Sequence, residues 1–239
     1  ILHFLTGKKT ILKLKPSCLR LEGPVILPCL GLGVSTFVML STESLLSITF
    51  TASLARYGGD LAVGAMTIIT SVSQLVTLPL QGVCQGGQPI ISYNYGAGHG
   101  DRVKKTFFLV FSVCMTYTVL FWAAVLLFPS VFAGIFTTNA ELSGYTSWAL
   151  RIYMAGIFAC GAQCSCQQSF MALGQAKVSL LLACLRKIVL LIPLILILPH
   201  VLPFDPVFSV FLAEPVSDIA AAVITTITFL ARFNRILEM

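Results

Sequence analysis

The stretch QGGQPIISYNYGAGHGDRVKK, Gln85 to Lys105, places glutamines, glycines and a proline beside a burst of basic charge in an otherwise apolar chain. It reads as the end of a membrane helix leaving the bilayer. Tyr93 and Tyr95 suit an interfacial aromatic belt, Gly96, Gly98 and Gly100 end the helix, and Arg102, Lys104 and Lys105 anchor the following loop on the cytoplasmic side. The GAGHG string is followed by no Lys-Ser/Thr and preceded by no strand, which argues against a phosphate loop.

Working outward, the 239 residues are 57% hydrophobic and 10% charged, with mean hydropathy +0.93. Soluble domains carry roughly 25% charged residues, so the chain belongs in a bilayer. A hydrocarbon core of about 30 Å needs ~20 helical residues, and six spans are predicted: 24–55, 63–95, 105–128, 146–172, 178–199 and 207–231. The fold class is all-α, a polytopic six-helix bundle occupying 23–239. Residues 1–22 are expected to form the end of a preceding helix and a basic linker, and the chain is expected to be a fragment because it starts without Met.

The net charge is +6, but its placement says more than its size. Lys8, Lys9, Lys13, Lys15 and Arg20, then Arg102, Lys104 and Lys105, then Lys177, then Arg232 and Arg235 all fall on one side of a six-span bundle. The other side shows only Arg56 and Arg151. The positive-inside rule puts both termini in the cytoplasm, with the protein in the plasma (inner) membrane. This layout argues against nucleic acid as a partner.

Span one carries Glu43 about halfway along, among Ser41, Thr42, Ser44, Ser47, Thr49, Thr51 and Ser53. A carboxylate at that depth costs roughly 2.5–3.5 kcal/mol on insertion scales. Glu43 is therefore expected either to serve a cation or proton in a cavity or to be a protonated acid bonded to a neighbouring helix. Span two holds Gln74, Pro79, Gln81, Gln85, Gln88 and Pro89. Each proline removes a backbone donor, and the freed carbonyls must find partners that lipid does not offer. Span four sets Gln163, Gln167 and Gln168 among small residues, which fits either cross-helix hydrogen bonds or substrate contact.

Span five carries Arg186 and Lys187, expected to snorkel toward the inner headgroups. In span six, Glu214 and Asp218 are four residues apart and share a helical face. Two carboxylates in low dielectric resist double ionisation, which suits a relay or cation site. The alternative is a pair bonded to Arg186 or to glutamines. The cysteines, including Cys160, Cys164 and Cys166, read as small packing residues rather than a metal site.

Four segments together resemble the multidrug and toxic compound extrusion (MATE) family of cation-coupled antiporters. They are TESLLSITFTASLARYGGDLAVGAMTII (42–69), QGGQPIISYNYGAG with RVKKTF after it, ALGQAKVSLLLACLRKIVLLIPLILILP (172–199) and AEPVSDIAAAVIT (213–225). The resemblance implies the second of two six-helix lobes, with an N-terminal lobe of the same chain as partner, and no enzyme activity or cofactor. It implies export of small cationic or amphipathic substrates by alternating access, driven by sodium or protons. Glu43 resembles the acidic residue that binds the coupling cation in some members. Glu214 and Asp218 are further coupling candidates, and Gln74, Gln81, Gln85, Gln88, Gln163 and Gln167 are candidates for the substrate path. Where some relatives have an Asp in the tenth helix, span four has only glutamines. The alternative within the same broad fold class is a lipid or lipid-linked oligosaccharide flippase, which would call for more Arg and Lys toward phosphate groups.

Overall fold

The computed structural model describes residues 23–237; the expected linker, 1–22, lies outside them. The described residues fall into two units divided between Leu40 and Ser41. In the first, the described part is helical from Gly23 onward. The second unit holds everything discussed below.

The helices are α1 (Gly23–Gly96), α2 (Gly100–Leu127), α3 (Pro129–Phe136), α4 (Ala140–Tyr153), α5 (Cys160–Ala172), α6 (Ala176–Cys184), α7 (Ile192–Val201) and α8 (Pro206–Leu237). Among the described residues there is no strand. Helix α1 is two predicted spans run together, broken at Gly59, whose φ of 63° lies in the left-handed region. Only glycine enters that region without steric cost, which is why the chain turns at the Gly58-Gly59 pair. Helix α3 is short, eight residues long.

Four described segments are long and apolar enough to cross a membrane: Ser41–Gly96, Gly100–Leu127, Lys177–Val201 and Pro206–Phe233. The first counts twice because of the Gly59 break, and the predicted fourth span is interrupted. There α4 gives way to a 3₁₀ turn, Met154–Ala159, before α5 begins. Span five is interrupted as well, by a π-helical turn at Leu185–Leu191 between α6 and α7.

Irregular backbone within a bilayer must be satisfied by protein groups, and the side chains that do so are identifiable. Pro79 cannot donate to the carbonyl of Leu75, and the Tyr117 hydroxyl of α2 donates to that oxygen at 2.6 Å. Trp122 Nε1 donates to Ala155 O at 3.0 Å, and Thr118 Oγ1 to Phe158 O at 3.2 Å, both within the 3₁₀ turn. Ser217 Oγ of α8 donates to Arg186 O at 3.2 Å in the π turn. The carbonyl freed by Pro79 thus finds the kind of partner that the sequence reading required.

Helix α8 is the central pillar. It packs against α4, the 3₁₀ turn, α5, the π turn and α7. Its apolar window is 61% buried, against 22% for α2. Toward its C-terminal end Phe229 meets Phe107 at 4.6 Å and Phe170 at 4.9 Å between ring centroids. Ser209, Glu214, Ser217, Asp218 and Thr225 of α8 therefore lie inside protein rather than in lipid.

Candidate functional site

Two consecutive residues of the π turn, Arg186 and Lys187, organise the site. A π turn admits an extra residue into the helix and recurs at functional positions. Arg186 turns toward α8, where its Nη2 donates to Glu214 Oε1 at 3.1 Å and also to Asp218 Oδ1. Lys187 turns toward the first arm of α1, where its ammonium donates to Glu43 Oε1. The snorkelling expected for these two bases is thus corrected. The buried carboxylates of α8 draw Arg186 inward and Glu43 engages Lys187, because an unpaired charge within a bilayer is costly.

The two groupings differ in depth. Glu214 and Asp218 are buried, with side chains 9% and 6% exposed, whereas the Glu43 side chain is 56% exposed in the described unit. Spacing of four residues on α8 brings Glu214 and Asp218 onto one face, as the sequence predicts, and Pro215 sits between them. That proline backs directly onto the 3₁₀ turn: a Cβ placed on Gly156 would lie 2.7 Å from Pro215 Cα and 2.8 Å from its carbonyl oxygen. Glycine is the residue that permits this approach. Tyr153, where α4 meets the 3₁₀ turn, lies within electrostatic reach of Glu214, Asp218, Arg186 and Glu43, and its ring packs against Phe50 at 5.9 Å.

The glutamines divide. Gln74, Gln81 and Gln85 are exposed and Gln88 is half-buried, all on one face of the second arm of α1. Thr67, Thr70 and Thr77 extend the stripe, and their hydroxyls bond back to the carbonyls four residues earlier. Gln163 is buried in α5, with its Oε1 lacking a hydrogen-bond partner, and Gln167 is half-buried. The span-two glutamines therefore present a polar face away from the core, and Gln163 lies within the bundle. A separate cavity of 340 Å³, lined by Pro129, Ser147, Trp148 and Arg151 among others, contains none of the candidate residues.

The Arg186 partnership is the alternative that the sequence left open for Glu214 and Asp218; sequence reasoning did not bring Lys187 to Glu43, nor Tyr153 to the same place. The available signal was arithmetic: three mid-span acids, Glu43, Glu214 and Asp218, stand against two mid-span bases. Chemically, the arrangement can hold and release a small cation or proton. Among the described residues, no cluster of three or more His, Cys, Asp or Glu side chains is placed to hold a metal ion.

Known proteins place the chain. The curated multidrug export protein MepA of Staphylococcus saprophyticus is 25% identical over 228 residues, which is 94% of this chain and 49% of that protein. MepA of Staphylococcus aureus is 26% identical over 200 residues, 81% of this chain and 42% of that protein. The chain thus spans about half the length of the curated relatives it matches. A crystal structure of MATE in complex with MaL6 superposes with a TM-score of 0.86 at 16% identity, covering 99% of this chain and 53% of that one; at that identity the likeness speaks to the fold. The MatE family model matches residues 35–197, well over half of the chain, and with the all-α membrane fold it establishes that this chain belongs to the MatE family of multidrug and toxic compound extrusion transporters.

Proposed function

We propose that this chain forms the second lobe of a secondary active antiporter that exports cationic or amphipathic compounds by alternating access, driven by an inward sodium or proton gradient. The observation that carries the reading is the mid-span charge system, in which Glu43, Glu214 and Asp218 outnumber Arg186 and Lys187 by one. An odd acid among paired charges is a place for a mobile cation, and each charge crossing 100 mV contributes ~2.3 kcal/mol without any chemical step. Glu43, the exposed member, meets substrate or coupling ion. The exposed face of Gln74, Gln81, Gln85 and Gln88 lines half of the path, with Gln163 and Gln167 deeper. The other half comes from an N-terminal lobe of the same protein, a reading supported by the half-length coverage of the relatives.

Residues 1–22 link the lobes, both termini face the cytoplasm, and the protein resides in the plasma membrane, in keeping with the loop charges. No cofactor is needed, because gradients and charge exchange account for the work. The flippase alternative is disfavoured, because Arg186 and Lys187, the mid-span bases available for phosphate, are already engaged by carboxylates.

The test is gradient-driven efflux of a cationic fluorescent dye from proteoliposomes. The Glu43→Gln protein should insert and fold but fall to the background of empty vesicles. Wild-type efflux in that variant would remove Glu43 from the coupling machinery.

A further inference from the structure

The buried triad of Arg186, Glu214 and Asp218 does not balance. With all three groups ionised, two carboxylates face one guanidinium in a region without water. Arg186 Nη2 takes one oxygen from each acid. That leaves Glu214 Oε2, which is buried and has no hydrogen-bond partner, on a residue only 7% exposed. An ionised oxygen left unpaired at such a depth is far more costly than a neutral carboxyl. The remaining titratable or charged groups within reach supply no further cation: Tyr153 and Cys160 are neutral when protonated, and Lys187 is engaged by Glu43.

A metal cation fits this place poorly. Hard cations take several oxygen ligands, but the guanidinium already bridges the two acids, and among the described residues no group of three or more His, Cys, Asp or Glu side chains is placed to hold a metal ion. A proton needs only the free oxygen and displaces nothing.

From this geometry we infer that Glu214 carries an exchangeable proton in the site closed by Arg186 and Asp218, so that this buried site takes a proton rather than sodium. The inference deepens the ion-coupled export reading above and rests on it for its role in transport. Protonation decides whether Arg186 answers one carboxylate or two. It does so where the 3₁₀ turn of span four, the π turn of span five and Pro215 of span six meet, and interrupted helices bend at such points.

Infrared difference spectroscopy of the purified protein in bilayers, between acid and alkaline buffer, reads the proton directly. The expected signal is the C=O stretch of a neutral carboxyl that is lost reversibly as pH rises. It should shift when glutamate carboxyls carry carbon-13, be absent in Glu214→Gln, persist in Glu43→Gln and stay unchanged when potassium is replaced by sodium. Should Glu214→Gln not fold, the glutamate label together with Glu43→Gln still decides the assignment. A band that is missing at every pH, follows an aspartate label, or is erased by sodium overturns the proposal. The two readings separate cleanly, because dye efflux without the band removes the proton site and leaves export standing, while the band without efflux does the reverse.

Discussion

Arg186 and Lys187 are neighbours in sequence, yet they serve ion pairs of opposite character. The Arg186 grouping with Glu214 and Asp218 is enclosed by the helices around α8, while the Lys187 pair with Glu43 lies on a face open in this unit. The two bases are similarly sheltered, and the difference lies in the carboxylates, which are buried at Glu214 and Asp218 and exposed at Glu43. Enclosed charges hold a structure hostage to their partners, because removing one strands the others away from water. An exposed pair contributes little to stability, and can therefore be opened by a competing cation at small cost. The contrast separates an enclosed cluster of charges from a pair whose carboxylate is accessible.

The strongest way to break this contrast is Arg186→Met. It strands Asp218 and Glu214 together, and the expected loss is about 3–5 kcal/mol, read as a large fall in thermal unfolding temperature in detergent. A loss no greater than that of the Lys187 variant below would show that the triad is not enclosed in solution.

Next is Gly156→Val, which forces side-chain atoms into the 2.7 Å approach to Pro215. Overpacking of this kind costs about 1–3 kcal/mol, and the same unfolding measurement checks it. An unchanged melting temperature would mean the 3₁₀ turn of span four and α8 are not in contact.

Tyr117→Phe removes the donor to the carbonyl that Pro79 frees. Interhelical hydrogen bonds in membranes average ~0.6 kcal/mol, so a small loss is expected, accompanied by faster amide exchange near 79. Protection equal to wild type would show that another group serves Leu75.

The smallest effect on stability belongs to Lys187→Gln, below about 1 kcal/mol. If Lys187 guards Glu43, this variant should nevertheless bind a cationic dye more tightly, as fluorescence anisotropy would read. Unchanged dye affinity would show that the pair does not compete with substrate.

Much of this molecule was legible beforehand. Apolar runs located the helices, and the gap left between the first two predicted spans, 56–62, contains the break at Gly59. The four-residue spacing put Glu214 and Asp218 on one face. The interruptions within spans four and five were not legible, because a 3₁₀ or π turn costs little in hydropathy and is stabilised by donors from other helices, Trp122, Thr118 and Ser217. The thiols make the same point. Sequence proximity groups Cys160, Cys164 and Cys166, but space groups Cys84 with Cys114 at 3.6 Å, with Cys160 and Cys164 packed alongside. Cys166 instead joins Phe170 and Phe229 in another part of the core.

By itself, the sequence determined the solvent and the element type, since a chain this apolar must satisfy its backbone within helices in a bilayer. It also set which residue types could carry charge at depth. Only the tertiary structure decided which base answers which acid. That choice depends on how a π turn rotates two adjacent side chains toward different helices, and so on packing between segments that lie far apart along the chain.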